Sequence, residues 1–140
     1  MTRINASIRP IELSNSMLFA EYREIKRVAN KVKNNKYDFS KPIPTEFCLN
    51  RGHESYFRDK ILYLSKRSDE LYKECLKRGI KAEDYSESYK GIPPHLFNDW
   101  RETKEARELL KERINQRLTE SKQVIRFYDR IVTLEEALIK

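Results

Sequence analysis

Apolar residues recur at three- and four-residue steps along three stretches of the chain, which is the spacing of one buried face of an α-helix. The first stretch predicts a helix that begins near Ser14 or Asn15, either of which can act as its N-cap. This helix is expected to run to about Lys33 and to end at the Asn34-Asn35 pair. Its inward stripe consists of Leu18, Phe19, Tyr22, Ile25, Ala29 and Val32.

The same periodicity predicts a second helix over roughly 54–78 and a third from about 103 to about 128. Gly79 stands where a C-terminal cap of the second helix is expected. The expected buried lines are Phe57, Ile61, Leu64, Leu71 and Cys75 in the second helix and Ala106, Leu110, Ile114, Leu118, Ile125 and Tyr128 in the third. A short turn or helix at 134–139 is expected to follow.

Two proline-containing regions, 37–47 and 82–102, separate these helices and are expected to be irregular. Residues 1–10 are too few for a helix of their own and are expected to pack as an extended segment. The predicted fold is therefore all-α: a single compact domain, 1–140, of three main helices with an extended N-terminal segment.

The composition of the chain adds a net positive charge to this predicted fold. The chain has 140 residues, enough for one domain with a modest core. Its 29 Lys and Arg residues outnumber its 22 Asp and Glu residues, which gives a net charge of +7. Such an excess indicates a polyanionic partner, although charge alone does not identify it.

The two cysteines, Cys48 and Cys75, lie in apolar contexts without the spaced Cys or His partners that a zinc site requires. We therefore expect buried, reduced thiols, no metal and no cofactor. The sequence also lacks a transmembrane run and a signal-peptide core, which indicates neither membrane insertion nor secretion. These features are typical of a protein of the reducing cytoplasm.

The start of the chain carries a candidate nucleophile. Methionine before a small residue such as Thr2 is normally removed, which leaves the α-amine of Thr2 at the terminus. An α-amine has a reference pKa of about 7.7–8.0, against about 10.4 for lysine, so a useful fraction is neutral near pH 7. A neutral amine is suited to covalent attack on an electrophilic carbon.

Arg23, Glu24 and Arg27 fall close together on the first predicted helix, because residues three and four apart share a face. On its own this pattern is most often a solvated surface with weak ion pairs. Combined with a reactive terminus, it also places one carboxylate among arginines, which suits proton transfer beside phosphates.

Several segments of the chain recur in a known family. They are Thr-Arg-Ile-Asn at 2–5, Ala-Glu-Tyr-Arg-Glu with the following Arg-Val at 20–28, Gly52-His53, the stretch 57–67, and Glu-Cys-Leu-Lys-Arg-Gly at 74–79. In these segments the chain resembles the pyrimidine-dimer DNA glycosylases with abasic-site lyase activity, of the phage endonuclease V type. The similarity is good to about residue 80, partial around 92–93 and 112–117, and poor near the C-terminus.

The resemblance implies that the N-terminal segment lies between helices, so that the Thr2 amine meets Glu24. It implies that Thr2 forms an imine with the deoxyribose of a pyrimidine dimer, and that Glu24 assists glycosyl cleavage and β-elimination. The residues implied to hold the phosphates of double-stranded damaged DNA are Arg3, Arg23, Arg27 and Arg113, the last at a position where the family carries a lysine. The implied protein is a cofactor-independent monomer of a bacterial or phage-infected cell.

Three departures from the family pattern bear on the substrate. Met17 stands where a histidine is usual, Lys26 replaces a proline, and the spacing from Thr2 to Glu24 is one residue longer. Cleavage at abasic sites is therefore a safer expectation than cleavage at dimers. Two alternatives stay open: a glycosylase for a different modified base, and a non-catalytic helical DNA-binding protein.

Overall fold

The computed structural model describes residues 3–140, which form a mainly helical protein. Its elements are α1 (Asn15–Lys33), α2 (His53–Phe57), α3 (Ile61–Lys77), α4 (Lys104–Glu120), the strands β1 (Ile125–Phe127) and β2 (Arg130–Val132), and α5 (Leu134–Ala137). The predicted helical class is confirmed, with one small antiparallel hairpin added to it. Among the described helices, none has the length and apolar character needed to cross a membrane.

Helix α1 begins and ends as its sequence predicts. The hydroxyl of Ser14 accepts a hydrogen bond from the backbone N–H of Met17, which makes Ser14 the N-cap. At the other end Asn35 adopts a positive φ of 53°, a conformation that stops helical propagation. The predicted stripe faces inward, with these members buried: Leu18, Tyr22, Ile25, Ala29 and Val32. Helix α1 packs chiefly against α3.

The single helix predicted over 54–78 is wrong, because the chain breaks into α2 and α3 at residues 58–60. At the break, Lys60 forms an isolated antiparallel bridge with Phe97, and the backbone N–H of Tyr63 donates to the carbonyl of Asn98. The N–H of Lys60 still donates to the carbonyl of Phe57, so the chain turns at the break and also contacts this distant segment. The predicted cap is confirmed, since Gly79 has a φ of 76° and follows the last helical turn.

The third helix is shorter than predicted. Helix α4 starts after Thr103, whose hydroxyl accepts from the N–H of Ala106, and it ends at Glu120. Residues 125–132 form the hairpin, so Ile125 and Tyr128 do not belong to the buried face of this helix as predicted. The turn is held from α1, because the side chain of Asn15 bonds both the N–H and the carbonyl of Tyr128, at 3.0 and 2.7 Å. The predicted helix at 134–139 is confirmed as the short α5.

Most of the described part of the N-terminal segment is buried, in agreement with the prediction that it packs against the helices, whereas Arg3 and Arg9 are exposed. Ile4, Ala6 and Ile8 are fully buried in the core. The prediction of an extended segment does not hold throughout, because the chain turns after Asn5, with Ser7 at a positive φ of 67° and the N–H of Ile8 donating to the carbonyl of Asn5. Of the two free cysteines, Cys75 is buried and Cys48 is partly exposed.

Candidate active site

A hydrogen bond to a buried ion pair fixes the N-terminal segment to α1. The amide nitrogen of Asn5 donates to Oε1 of Glu21 at 3.0 Å. Glu21 in turn receives two hydrogen bonds from the Arg67 guanidinium of α3, one from Nε at 2.5 Å and one from Nη2 at 3.0 Å. Two charges buried this deeply are stable only when they are paired and hydrogen-bonded. The position of Asn5 is thereby coupled to the packing of α1 against α3.

A second anchor comes from the first residue of α2. The backbone N–H of Ile4 donates to Nε2 of His53 at 2.9 Å, and the other ring nitrogen, Nδ1, lies 2.9 Å from the carbonyl of Cys48. Because Nε2 accepts a hydrogen bond, the ring is neutral and its proton is on Nδ1, which donates to Cys48. Burial is the main reason that the pKa of His53 is lowered from 6.5, which favours this neutral form.

A cleft of about 270 Å³ opens where the N-terminal segment meets α1 and α4. Its walls come from three parts of the chain, and its lining residues are Arg3, Asn5, Ser16, Met17, Ala20, Glu21, Glu24, Arg113, Ile114 and Arg117. Of the site residues predicted from sequence, the structure brings three together in this cleft: Arg3, Glu24 and Arg113. The predicted nucleophile, Thr2, lies outside the described residues.

The cleft contains two carboxylates in different environments. Glu21 is almost fully buried and is held by Arg67 and Asn5, so it serves as a structural ion. The side chain of Glu24 is 23% exposed, and its Oε1 lies 3.8 Å from Nη1 of Arg27, a long ion pair on the helix surface. Glu24 is therefore the carboxylate that can approach a molecule bound in the cleft.

Three arginines give the cleft a positive potential. Arg3 comes from the N-terminal segment, and Arg113 and Arg117 lie one turn apart on α4. Arg3 and Arg113 line the same cleft, and the pKa of Arg113 is lowered, first by burial and then by the charge of Arg3. Arg113 also donates to Oδ1 of Asn50 at 3.1 Å. Clustered guanidinium groups of this kind favour an anionic ligand such as phosphate.

The remaining two predicted arginines lie beside the cleft and do not line it. Arg27 is exposed and reaches Glu24 at its rim. Arg23 is exposed as well, and its guanidinium carbon lies 5.0 Å from the centre of the Phe19 ring. Both are one helical turn from the cleft residues of α1, so they extend the positive surface outward.

Sequence reasoning missed the groups that hold the site together. Asn5 and His53 were both inside segments that match the family, but nothing in their spacing indicated hydrogen bonds to Glu21 and to the backbone of Ile4. Arg117 was not among the predicted site residues, although its position four residues after Arg113 places both on one helix face.

Part of the cleft lining is apolar. Met17 and Ala20 of α1 and Ile114 of α4 provide it. A thioether such as that of Met17 is flexible and polarizable, so it can pack against the flat face of a planar group. The cleft lining thus combines charged groups with apolar groups that are suited to an uncharged ring.

Fold and site together define a mainly helical protein with a cationic cleft that holds one accessible carboxylate, a combination suited to a phosphate-bearing substrate. A family model described as pyrimidine dimer DNA glycosylase matches residues 1–87. The chain therefore belongs to the pyrimidine dimer DNA glycosylase family, whose members are DNA repair enzymes and bind DNA. The matched range includes Glu24 and His53 and ends before the cleft residues of α4.

Proposed function

We propose that this protein excises pyrimidine dimers from duplex DNA and cleaves the strand at abasic sites, with the α-amine of Thr2 as nucleophile and Glu24 as the assisting carboxylate. The family assignment supports the glycosylase activity. The location of Glu24 supports its role, because it lies in the cleft that Arg3 and Asn5 of the N-terminal segment also line.

The observation that carries this proposal is the convergence of the N-terminal segment with Glu24. Ile4 and Asn5 are fixed by hydrogen bonds, and Arg3 lines the same cleft as Glu24. Arg3 directly follows Thr2 in the sequence, so the residue next to the proposed nucleophile lines the cleft that contains Glu24.

In the first chemical step the neutral amine attacks C1′ of the deoxyribose. A C1′–N bond to Thr2 forms while the glycosidic bond breaks, and the departing base takes the bonding electron pair and is protonated by solvent. The carboxylate of Glu24 stabilises the positive charge that develops on the sugar ring oxygen. Glu24 then accepts a proton from the newly bonded Thr2 nitrogen and delivers it to the ring oxygen as the ring opens, which leaves a protonated imine between Thr2 and C1′.

The imine makes the second step possible because it acts as an electron sink. A base removes a proton from C2′, the electrons shift toward the imine nitrogen, and the 3′ phosphate leaves with the C3′–O bonding pair. The strand is thereby cleaved. Hydrolysis of the imine with one water molecule restores the free amine. Glu24 is the cleft carboxylate available for the proton transfer, since Glu21 is occupied by Arg67.

The arginines account for binding of the DNA backbone. Arg3, Arg113 and Arg117 line the cleft and suit the phosphates next to the reacting sugar, where two-point guanidinium contacts fix the strand. Arg23 and Arg27 lie outside it and suit phosphates further along the duplex. Removal of the reacting nucleotide from the base stack would bring its sugar into reach.

Borohydride trapping tests the proposal. The processed protein is incubated with duplexes that contain a pyrimidine dimer or an abasic site, and borohydride reduces any imine to a stable protein–DNA adduct. We expect an adduct at the Thr2 nitrogen, identified by peptide mass spectrometry. Binding without an adduct, from a protein whose Thr2 amine is free, would instead support a non-catalytic DNA-binding protein. Trapping at abasic sites but not at dimers would support a glycosylase for another base.

A further inference from the structure

His53 is buried in a position that links two distant parts of the chain. It is 1% exposed, and the rings of Phe47 and Phe57 pack edge-on against it with centroids 5.5 Å away. Its two ring nitrogens are both used, one by the N–H of Ile4 and one by the carbonyl of Cys48. The imidazole thus joins the N-terminal segment to the loop that precedes α2.

We propose that His53 is a positioning residue for the imine-forming step, because it accepts the N–H of Ile4 and so fixes the segment that carries the Thr2 amine relative to Glu24. This inference rests on the proposed function, since it assumes that Thr2 is the nucleophile. His53 acts through the backbone of Ile4 and needs no contact with DNA.

Geometry limits which residue and which protonation state can perform this role. An acceptor must face the N–H of Ile4, and neutral imidazole presents one at Nε2 while Nδ1 donates to Cys48. Protonated imidazole carries hydrogen on both nitrogens, so an N–H would face the N–H of Ile4 and the bond would be lost. The anchor therefore exists only while His53 is neutral.

Neighbouring charges act in opposite directions on this protonation state. Arg113 of α4 disfavours a positive imidazole, whereas Glu21 of α1 and the carbonyl of Cys48 favour one. Burial among the aromatic rings is the largest influence and opposes protonation, which lowers the pKa of His53 from its ordinary value. The anchor is consequently in place at neutral pH.

The hydrogen bond from Asn5 to Glu21 makes this role separable from folding, because it does not involve His53. Ile4, Ala6 and Ile8 are also buried in the core. We therefore expect the segment to keep its approximate place without the His53 acceptor but to lose its fixed position near the terminus. Misplacement of a reacting group by about 1 Å can cost on the order of a hundredfold in rate, so a change in rate with little change in binding is the expected signature.

The test compares His53→Phe, which keeps a planar ring but has no acceptor, with His53→Gln, whose side-chain oxygen can still accept. The single-turnover rate of borohydride trapping is measured on abasic duplex at saturating protein, together with the affinity for an uncleavable abasic analogue. We expect His53→Phe to trap about tenfold more slowly or worse, with affinity within about twofold, and His53→Gln to recover most of the rate. The matched control is His95→Phe, because His95 is the other histidine and is exposed.

Each result has a defined meaning. Equal trapping rates for wild type, His53→Phe and His95→Phe would overturn the positioning role while leaving the proposed function intact. Failure of the wild type itself to trap would overturn the proposed function instead. If His53→Phe does not fold, His53→Gln is compared with wild type across pH. The trapping rate of the wild type should then depend on two protonations, that of the Thr2 amine and a second one at lower pH. The rate of His53→Gln should lack the second dependence, and identical pH–rate profiles for the two proteins would overturn the proposal.

Discussion

Glu21 of α1 and Arg67 of α3 form an ion pair in which both side chains are almost completely buried, with 1% and 3% of their surface exposed. The pair joins the two helices that form the centre of the fold, and it carries the hydrogen bond to Asn5 on the same carboxylate. This buried ion pair therefore contributes both to the stability of the fold and to the position of the N-terminal segment.

Breaking this pair from one side should be strongly destabilising. Arg67→Ala leaves the carboxylate of Glu21 buried without its cation, which typically costs about 3–5 kcal/mol of unfolding free energy. Urea denaturation measures the loss. The matched control is Lys73→Ala, which breaks the exposed pair with Asp69 on the same helix and should leave the unfolding free energy nearly unchanged. Similar losses for both variants would contradict the structural role of the buried pair.

Glu24→Gln should separate binding from chemistry. The amide keeps the size of the side chain but cannot stabilise positive charge on the sugar or transfer a proton, so we expect strand cleavage to fall by about a hundredfold or more. DNA affinity should stay close to that of the wild type, as measured with an uncleavable abasic duplex. Glu105→Gln, an exposed change on α4 outside the cleft, is the control. Full cleavage activity in Glu24→Gln would assign the proton transfer to another group.

Arg23 and Arg27 should contribute to affinity rather than to chemistry. Each guanidinium that contacts a phosphate contributes roughly one unit to the dependence of log affinity on log salt concentration. We expect Arg23→Ala and Arg27→Ala each to weaken binding and to reduce that slope by about 1, whereas Lys73→Ala on the far side of α3 should leave it unchanged. Unaltered slopes would show that these arginines form an ordinary solvated surface.

Some features of the fold and of the site could be predicted from the sequence because they depend on residues that are close together in the chain. The boundaries of α1 and the cap at Gly79 are set by neighbouring residues, through the hydroxyl of Ser14 and the positive φ of glycine. Arg3 and Glu24 were both predicted as site residues because they lie in segments that resemble the family, and the structure places both in one cleft.

The features that sequence did not predict depend on contacts between distant segments. The break before α3 coincides with the bridge between Lys60 and Phe97, and the hairpin turn at Tyr128 is held by Asn15, 113 residues earlier. The anchor at His53 is a bond to a backbone N–H, which leaves no signal in residue types or spacing. The spacing of apolar residues does not predict such contacts, since it describes one helix or strand at a time.

Met17 should influence the choice of lesion more than the cleavage of an existing abasic site. It lines the apolar wall of the cleft, and a base is present in a dimer but absent from an abasic site. We expect Met17→Ala to lower excision of dimers by about tenfold or more while abasic cleavage stays within about threefold. Met17→Leu keeps the apolar volume and serves as the control. Equal losses of activity on dimers and on abasic sites would indicate instead that Met17 helps to position the reacting sugar.

The buried state of His53 predicts that the protein loses stability as the pH falls. Burial lowers the pKa of His53 from 6.5 in the folded state, so at acidic pH the unfolded chain binds a proton that the folded chain resists. The stabilisation is complete above a pH of about 6.5 and is lost as the pH falls through the folded-state pKa. The free energy of unfolding is measured with urea at about pH 7.5 and about pH 5.5. Its decrease between the two pH values should be larger in the wild type and in His95→Gln than in His53→Gln, because glutamine has no titrating group. Equal losses in all three proteins would exclude His53 as the titrating group.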